Sequence, residues 1–166
     1  MGTPNLLTTW IVGGYVVDVL IRPALAAQRA RTAADRQGKP LLNVGAGTDG
    51  SSLRAFLFGP TLWGDVNIDL AGSGPHGPHN VSHGDACDLS RWPDDFFGAT
   101  IASHVVEHVH DPERAEAEMR RVTSGPVFIL TPLGCWAHAW THPGHQWFRN
   151  SRREYRRLWR PPPGQD

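Results

Sequence analysis

The sequence has few of the features that mark secreted, membrane or nucleic-acid-binding proteins. It contains two cysteines, Cys87 and Cys135, too few for a disulfide framework and without the paired spacing of a zinc site. Lysine plus arginine and aspartate plus glutamate number 16 each, so no net charge draws the whole molecule to nucleic acid or a membrane. We therefore expect a reducing, cytoplasmic setting, in which any attraction for anions is local.

Long apolar runs are also absent. The most apolar stretch, Leu6 to Ile21, is shorter than the ~20 residues that a spanning helix needs. It contains Asp18 and two glycines, and it has no basic leader or small-residue cleavage site. We predict no membrane span. Continued to Arg36, the segment predicts one or two helices, with a kink at Pro23 and an apolar side against the domain. A peripheral membrane or oligomer contact is the less favoured alternative.

The chain lacks the length for a nucleotide-binding domain plus a separate substrate domain. We predict one domain over residues 1–166. It is divided into an N-terminal helical segment (1–38), a ligand-binding core (39–132) and a histidine- and tryptophan-rich segment that leads into a basic helix (133–166).

What the sequence does contain is a short apolar strand that runs into a glycine-rich turn, in LLNVGAGTDGSSL. Gly45, Gly47 and Gly50 spell G-x-G-x-x-G, and Asp69 follows at the distance where a carboxylate binds a ribose hydroxyl pair. Alone, this pattern fits NAD as well as other adenosine ligands. Asp49 would oppose a pyrophosphate, and the chain has no room for a hydride-accepting domain. An adenosine ligand without phosphate is therefore favoured.

Further apolar segments alternate with helical ones. Strands are predicted at 41–44, 63–70, 80–83, 97–103 and 125–131, and helices at 51–58 and 111–122. Asp111 and Pro112 start the second helix as cap and first-turn proline. The alternation predicts an α/β, Rossmann-like, doubly wound and mostly parallel sheet, with ligands beyond the carboxyl ends of the strands.

The order of five segments resembles the class I S-adenosylmethionine-dependent methyltransferases, in particular the small-molecule methyltransferase type 11 group. The segments are LLNVGAGTDGSS, VNIDL, GDACDLSRWPDDFF, ATIASHVVEHVHDPERAEAEMRRV and GPVFILTP. The resemblance implies the strand order 3-2-1-4-5. Because nothing after Trp159 can supply the family's usual sixth and seventh strands, we expect the sheet to lack them.

The same resemblance implies S-adenosyl-L-methionine as cofactor and methyl transfer to an unidentified small-molecule acceptor. The alternative is a non-catalytic binding or partner subunit of the same fold. The cofactor-binding residues that the resemblance implies are Asn43, Gly45, Ala46, Gly47, Asp49, Asp69, Leu70, Asp85, Ala86 and Ser103. Asp69 would bind the ribose hydroxyls and Asp85 the adenine amine. Alternatively, the glycines form only a tight turn and both aspartates only cap turns.

Two positions depart from the family pattern. Asn43 stands where the family usually has a carboxylate that holds the cationic amino group of the cofactor. Its amide accepts a hydrogen bond without the charge, which lowers affinity by about 1 kcal/mol. Asp49 occupies the place of the third family glycine. Either the turn is rearranged there, or Asp49 supplies the missing charge.

Histidines are the candidate acid–base residues. The resemblance places His104 beside the sulfonium and the substrate, where it is the catalytic candidate, and His108 is on the substrate side. Either imidazole suits proton removal near neutrality, although methyl transfer often needs no protein base and His104 would then only bind loop carbonyls. We interpret Glu107 as a structural residue that binds backbone groups or helix termini after the fourth strand, and His110 as part of a loop.

After the fifth strand the chain is rich in histidine and tryptophan. His138, His142 and His145 have helical spacing, but Pro143 and Gly144 would break that helix, so we expect no metal site. In related methyltransferases this segment closes the substrate pocket. We therefore predict a lid with His142 and His145 on the substrate side. A packed loop whose tryptophans cover the core is the alternative.

The C-terminal segment 150–160 predicts a helix with arginines on one face. That face would contain Arg149, Arg152, Arg153, Arg156, Arg157 and Arg160. A solvated face is the favoured interpretation, and contact with nucleic acid or another anionic partner is the alternative. The fifth strand, VFIL, would be an exposed sheet edge, so we predict that the tail, the N-terminal helix or a second subunit in a homo-oligomer covers it.

Overall fold

The computed structural model describes residues 13–14, 16–47, 63–71, 81–132 and 144–158. Its central feature is a five-stranded sheet of β1 (Leu41–Val44), β2 (Val66–Asp69), β3 (Val81–His83), β4 (Ala99–Ser103) and β5 (Val127–Leu130). The strand order is β3-β2-β1-β4-β5 and every neighbouring pair is parallel. The predicted α/β class and strand order are confirmed. Because the order reverses between β1 and β4, a crevice is expected beyond their carboxyl ends.

One face of the sheet is covered by helix α1 (Arg22–Gln37), which continues from a π-helical segment, Val17–Ile21. Pro23 is the second residue of α1, directly after the π-helical segment, and it has no N–H to donate to the preceding turn. The side chains that meet at this face are small on the helix and branched on the sheet: Ala26, Ala27, Ala30 and Ala34 pack with Leu41, Ile101 and Leu130. No helix in the described part of the chain is long and apolar enough to cross a membrane.

The opposite face is covered by helix α2 (Pro112–Arg121). The helix starts where the sequence predicts, because the Asp111 side chain accepts the Arg114 N–H at 2.9 Å. Its apolar face packs on residues of β1 and β4, and this core includes Ala115, Met119 and Val122 with Leu42, Val44 and Ala102. Helices on both faces make the sheet doubly wound. The predicted helix 51–58 lies outside the described residues.

The predicted helix at 150–160 is wrong, because residues 147–157 form an antiparallel hairpin of β6 (Trp147–Arg149) and β7 (Tyr155–Arg157). The Asn150 side chain accepts the N–H groups of Arg152 and Glu154, at 2.9 and 3.0 Å, and Arg153 has a φ of 65°. This turn is incompatible with a right-handed helix.

The single arginine face is therefore also wrong. Arg149 is turned inward, with 13% of its side chain exposed, and its Nη2 lies 3.0 Å from Glu116 on α2. Arg156 and Arg157 are exposed on β7, Arg152 and Arg153 are exposed in the turn, and Arg160 lies outside the described residues. The helical spacing of the arginines predicted that they share one face, but the hairpin separates their side chains.

The parallel sheet ends at β5 within the described residues, and β6 and β7 pair with each other instead of extending it. Helix α1 contacts β5 through Phe128 and Leu130. Near the carboxyl end of that strand, Arg22 Nη1 donates to the Thr131 carbonyl at 3.3 Å. These contacts bring α1 to the last strand of the sheet. Cover of its edge by the tail or by a second subunit stays a prediction.

Glu116 joins the hairpin to α2, and replacing it tests how much that junction stabilises the fold. It accepts from Arg120, Arg149 and Tyr155, at 2.6, 3.0 and 2.8 Å. Burial opposes ionisation, but these partners hold the pKa of the Glu116 carboxyl below its ordinary value of 4.5. We expect Glu116→Gln to lower the free energy of unfolding by about 1.5–3 kcal/mol near neutral pH, measured by urea denaturation.

The pH dependence follows from the direction of that shift. A carboxyl whose pKa is lower in the folded state stabilises the protein above its unfolded pKa, and this contribution is lost as the pH falls through the folded value. The difference between wild type and Glu116→Gln should therefore shrink below the ordinary value of 4.5. Glu113→Gln, an exposed change on the same helix, is the control. An equal effect of both substitutions would refute the anchoring role.

Candidate functional site

A cavity of about 390 Å³ lies beyond the carboxyl ends of β1, β2 and β4. Its size is that of a small-molecule site. The wall combines apolar side chains with two carboxylates, histidines and exposed backbone. The lining residues are Val44, Gly45, Gly47, Asp69, Leu70, Gly84, Asp85, Ala86, His104, Val105, His108, Val109, His110 and Gln146. The structure thus brings together, around one cavity, predicted residues from four separate segments of the chain.

The glycine turn forms one side of this cavity. Gly45 and Gly47 have φ values of 70° and 76°, in the left-handed region that favours glycine. The N–H groups of Gly45 and Ala46 donate to the Ile68 carbonyl, at 2.8 and 3.0 Å. The turn is therefore fixed to β2 as soon as it leaves β1.

Gly45 also allows the loop after β4 to approach the turn. A Cβ atom built on residue 45 would lie 2.1 Å from Cγ2 of Val105. At Gly47 a Cβ atom would meet nothing within 4 Å among the described residues. The two glycines therefore differ: the first admits a neighbouring side chain, and the second presents bare backbone.

Asp69 and Asp85 lie at the carboxyl ends of neighbouring strands. Asp69 accepts the N–H of Gly47 on one oxygen and that of Ala71 on the other, each at 3.0 Å. Asp85 accepts the N–H of Cys87 at 2.8 Å. Both aspartates therefore cap turns, as one interpretation of the sequence expects. A carboxylate has about four acceptor positions, so this capping leaves each of them able to bind a ligand.

His104 begins the loop after β4 in an unusual backbone conformation. Its φ is 58°, in a region that costs a residue with a side chain about 1–2 kcal/mol. Its N–H donates to the Leu130 carbonyl at 2.8 Å, and its Nδ1 lies 3.3 Å from Oε1 of Glu107. The left-handed turn places this histidine at the cavity wall.

The other wall is held by hydrogen bonds between the loop after β4 and residues 144–147. The Gln146 N–H donates to the Glu107 carbonyl at 2.7 Å, and Trp147 Nε1 donates to the Val109 carbonyl at 2.9 Å. Gln146 is a lining residue that the sequence analysis missed, together with Val105, Val109 and His110. The only signal for Gln146 was its place in HPGHQW, and in that segment the histidines were predicted as the substrate-side residues.

Several predicted residues do not line the cavity. Asn43 is buried in β1, and its Nδ2 donates to Oδ1 of Asn67 on β2 at 3.1 Å. Ala46 and Ser103 are absent from the cavity wall, and His145 is buried beside the ring of His108. Asp49, His138 and His142 lie outside the described residues.

The expectation for Glu107 is wrong. Its carboxylate was expected to bind backbone groups, but both oxygens are buried without a hydrogen-bond partner among the described residues. Its backbone carbonyl, by contrast, accepts from Gln146 and Trp147. The contact to the backbone is therefore made by the main chain of Glu107 and not by its side chain.

Comparison with known families agrees with this geometry. Residues 42–129, slightly more than half of the chain, match the family model of a methyltransferase domain. The match runs from β1 into β5 and includes both aspartates and the loop after β4. No curated protein gives a significant match to the chain.

The close approach at Gly45 can be tested by adding a single methyl group. We expect Gly45→Ala to lower the free energy of unfolding by at least about 2 kcal/mol, because backbone strain adds to the clash with Val105. Gly38→Ala is the matched control: its φ is 60°, but a Cβ there meets nothing within 4 Å in the part of the chain that the structure describes. It should cost only about 1–2 kcal/mol.

A second substitution separates the clash from the strain. Val105→Ala removes the methyl group that Gly45→Ala would strike, so the double variant should regain part of the lost stability. Thermal or urea denaturation of the four proteins forms a double-mutant cycle. Strictly additive effects would show that the contact does not limit residue 45.

Proposed function

Because the chain belongs to the methyltransferase-domain family, we propose that it transfers a methyl group from S-adenosyl-L-methionine to a small-molecule acceptor. The observation that carries this proposal is the glycine turn held by Asp69 at the edge of the cavity, with a Gly47 N–H to Oδ2 distance of 3.0 Å. A ligand can approach the glycine backbone of this turn closely. The carboxylate beside the turn is suited to accept hydrogen bonds from hydroxyl groups.

The lining residues fit the chemistry of this cofactor. Asp69 would accept from the ribose hydroxyls and Asp85 from the adenine amine, while Leu70 and Ala86 offer apolar surface to the adenine ring. Leu70 is 68% exposed, so its side chain is accessible to a ligand in the cavity. Two carboxylates at the wall would repel a phosphate group. This supports an adenosine ligand without phosphate.

When bound, the cofactor supplies a methyl group on a sulfonium, an electrophile that a nucleophile attacks in a single displacement. The residues of the chain then have to position the acceptor and limit the access of water. Val105 and Val109 present apolar surface to the cavity. His104 lines it with an imidazole group that suits the removal of a proton from an acceptor, and His108 adds a second imidazole to the wall.

A second candidate function is a partner or binding role without catalysis. One observation favours it: the Nδ2 of Asn43 donates to Asn67 in the sheet, at the position where the family usually has a carboxylate for the cofactor's amino group. This side chain joins two strands instead of facing the cavity. A chain with that role would have no need to bind the cofactor.

Calorimetric titration with S-adenosylhomocysteine separates the two functions, because this product binds without turnover. We expect saturable 1:1 binding by the wild-type chain. Asp69→Asn should weaken it by about ten- to a hundredfold, because the substitution removes charge from the hydrogen bonds to ribose.

The matched control is Asp94→Asn, which makes the same chemical change at a side chain that is 75% exposed and paired with Arg121. Its affinity should equal that of wild type. Folded wild-type protein that releases no heat at high ligand concentration would reject cofactor binding and favour the partner role. Equal affinity of wild type and Asp69→Asn would reject the proposed role of Asp69.

A further inference from the structure

Three side chains with metal-binding groups lie together beside the cavity, outside the residues proposed for the cofactor. They are Glu107 and His108, from the loop after β4, and His145, from the segment before β6. Their ligand atoms all lie within 4.8 Å of one another. Metal–ligand distances of about 2.0–2.2 Å are therefore within reach of small side-chain rotations.

The Glu107 carboxylate is the strongest indication that something binds there. The residue is 2% exposed, and neither carboxylate oxygen has a hydrogen-bond partner in the described part of the chain. His104 lies close to it, with Nδ1 3.3 Å from Oε1. Burial of a carboxylate is costly unless a cation or several donors compensate it. A divalent ion would supply this compensation.

His108 is oriented as metal-binding histidines are. Its Nδ1 lies 2.9 Å from the Gly144 carbonyl, which can only accept a hydrogen bond. Nδ1 is therefore the donor, and in the neutral ring the lone pair is on Nε2. A second ring nitrogen that donates to a carbonyl fixes the tautomer and the ring orientation of a metal-binding histidine.

The backbone holds the third group in place. The N–H groups of Gln146 and Trp147 both donate to the Glu107 carbonyl, at 2.7 and 3.3 Å. This pairing keeps His145, which is 4% exposed, beside the other two side chains. Its ring centroid lies 4.8 Å from that of His108. The cluster is thus built by the fold, because its members come from segments 37 or 38 residues apart in the sequence.

We propose that Glu107, His108 and His145 bind a divalent first-row transition-metal ion of the zinc type. Two imidazoles and one carboxylate form a donor set typical of Zn²⁺ and of neighbouring metals such as Co²⁺ and Ni²⁺. The proposal does not depend on methyl transfer. The sequence analysis expected no metal site, because it considered only His138, His142 and His145. The proposed site instead combines His145 with residues from a different part of the chain.

A second group, Asp85, Cys87 and His110, is a weaker candidate. The Cys87 thiol donates to the Asp111 carbonyl at 3.3 Å, and burial raises its pKa, so the thiol is held in its protonated form. A metal ion requires the thiolate. Asp85 also belongs to the proposed cofactor site.

The test is calorimetric titration of EDTA-stripped, full-length protein with zinc chloride. We expect one high-affinity site in the wild type. Glu107→Gln keeps the shape of the side chain and removes its charge, and His108→Ala changes an exposed residue, so both variants should fold. Each should weaken zinc binding by at least about tenfold. Circular dichroism of each stripped variant checks the fold.

His83→Ala is the matched control, since it removes an exposed histidine of β3 outside the cluster and should leave zinc affinity unchanged. Thermal denaturation gives a second readout: zinc should raise the melting temperature of wild type and of His83→Ala, and that of the cluster variants much less. Absence of wild-type binding would overturn the site. So would wild-type affinity in either cluster variant, or equal loss in His83→Ala.

Discussion

The site depends on one steric constraint, the absence of a side chain at residue 45. The chain leaves β1 in a left-handed turn, and the loop after β4 comes back over that turn until Val105 reaches the place where a Cβ would stand, 2.1 Å from its Cγ2. Since both strands end at the same edge of a parallel sheet, their loops have to share this space. Glycine resolves the conflict.

The left-handed turn at His104 has the complementary role on the other strand. Its positive φ directs the chain away from β4 so that residues 104–110 form the opposite wall of the cavity. That wall is then fixed from outside by Gln146 and Trp147, which donate to the carbonyls of Glu107, His108 and Val109. A turn at β1, a turn at β4 and a distant segment thus enclose one cavity and also bring Glu107 next to His145.

The fold core could be predicted because each element has a local cause. Buried parallel strands are apolar runs such as LLNV and ATIAS, and the Asp111-Pro112 pair marks the start of α2. The C-terminal hairpin could not be predicted in this way. Its arginines have helical spacing, but the Asn150 turn and the contacts of Arg149 and Tyr155 with Glu116 determine its structure. These long-range contacts outweigh the helical spacing of the arginines.

Part of the site could likewise be predicted from the sequence, and part could not. Asp69 and Asp85 follow predicted strands, and the carboxyl ends of parallel strands lie at a common edge, so their proximity could be inferred from order alone. Gln146 lies 38 residues from the loop whose carbonyl it binds, and the cluster of Glu107, His108 and His145 depends on the same pairing. No spacing rule connects such positions, because backbone hydrogen bonds between segments bring them together.

The most direct measurement is a crystal structure of the chain with S-adenosylhomocysteine. The account predicts the ligand in the cavity beyond β1, β2 and β4, with its ribose hydroxyls on the Asp69 carboxylate, its adenine beside Asp85 and Leu70, and Gly47 backbone against it. A ligand bound elsewhere, or one in this cavity whose ribose makes no contact with Asp69, would contradict it.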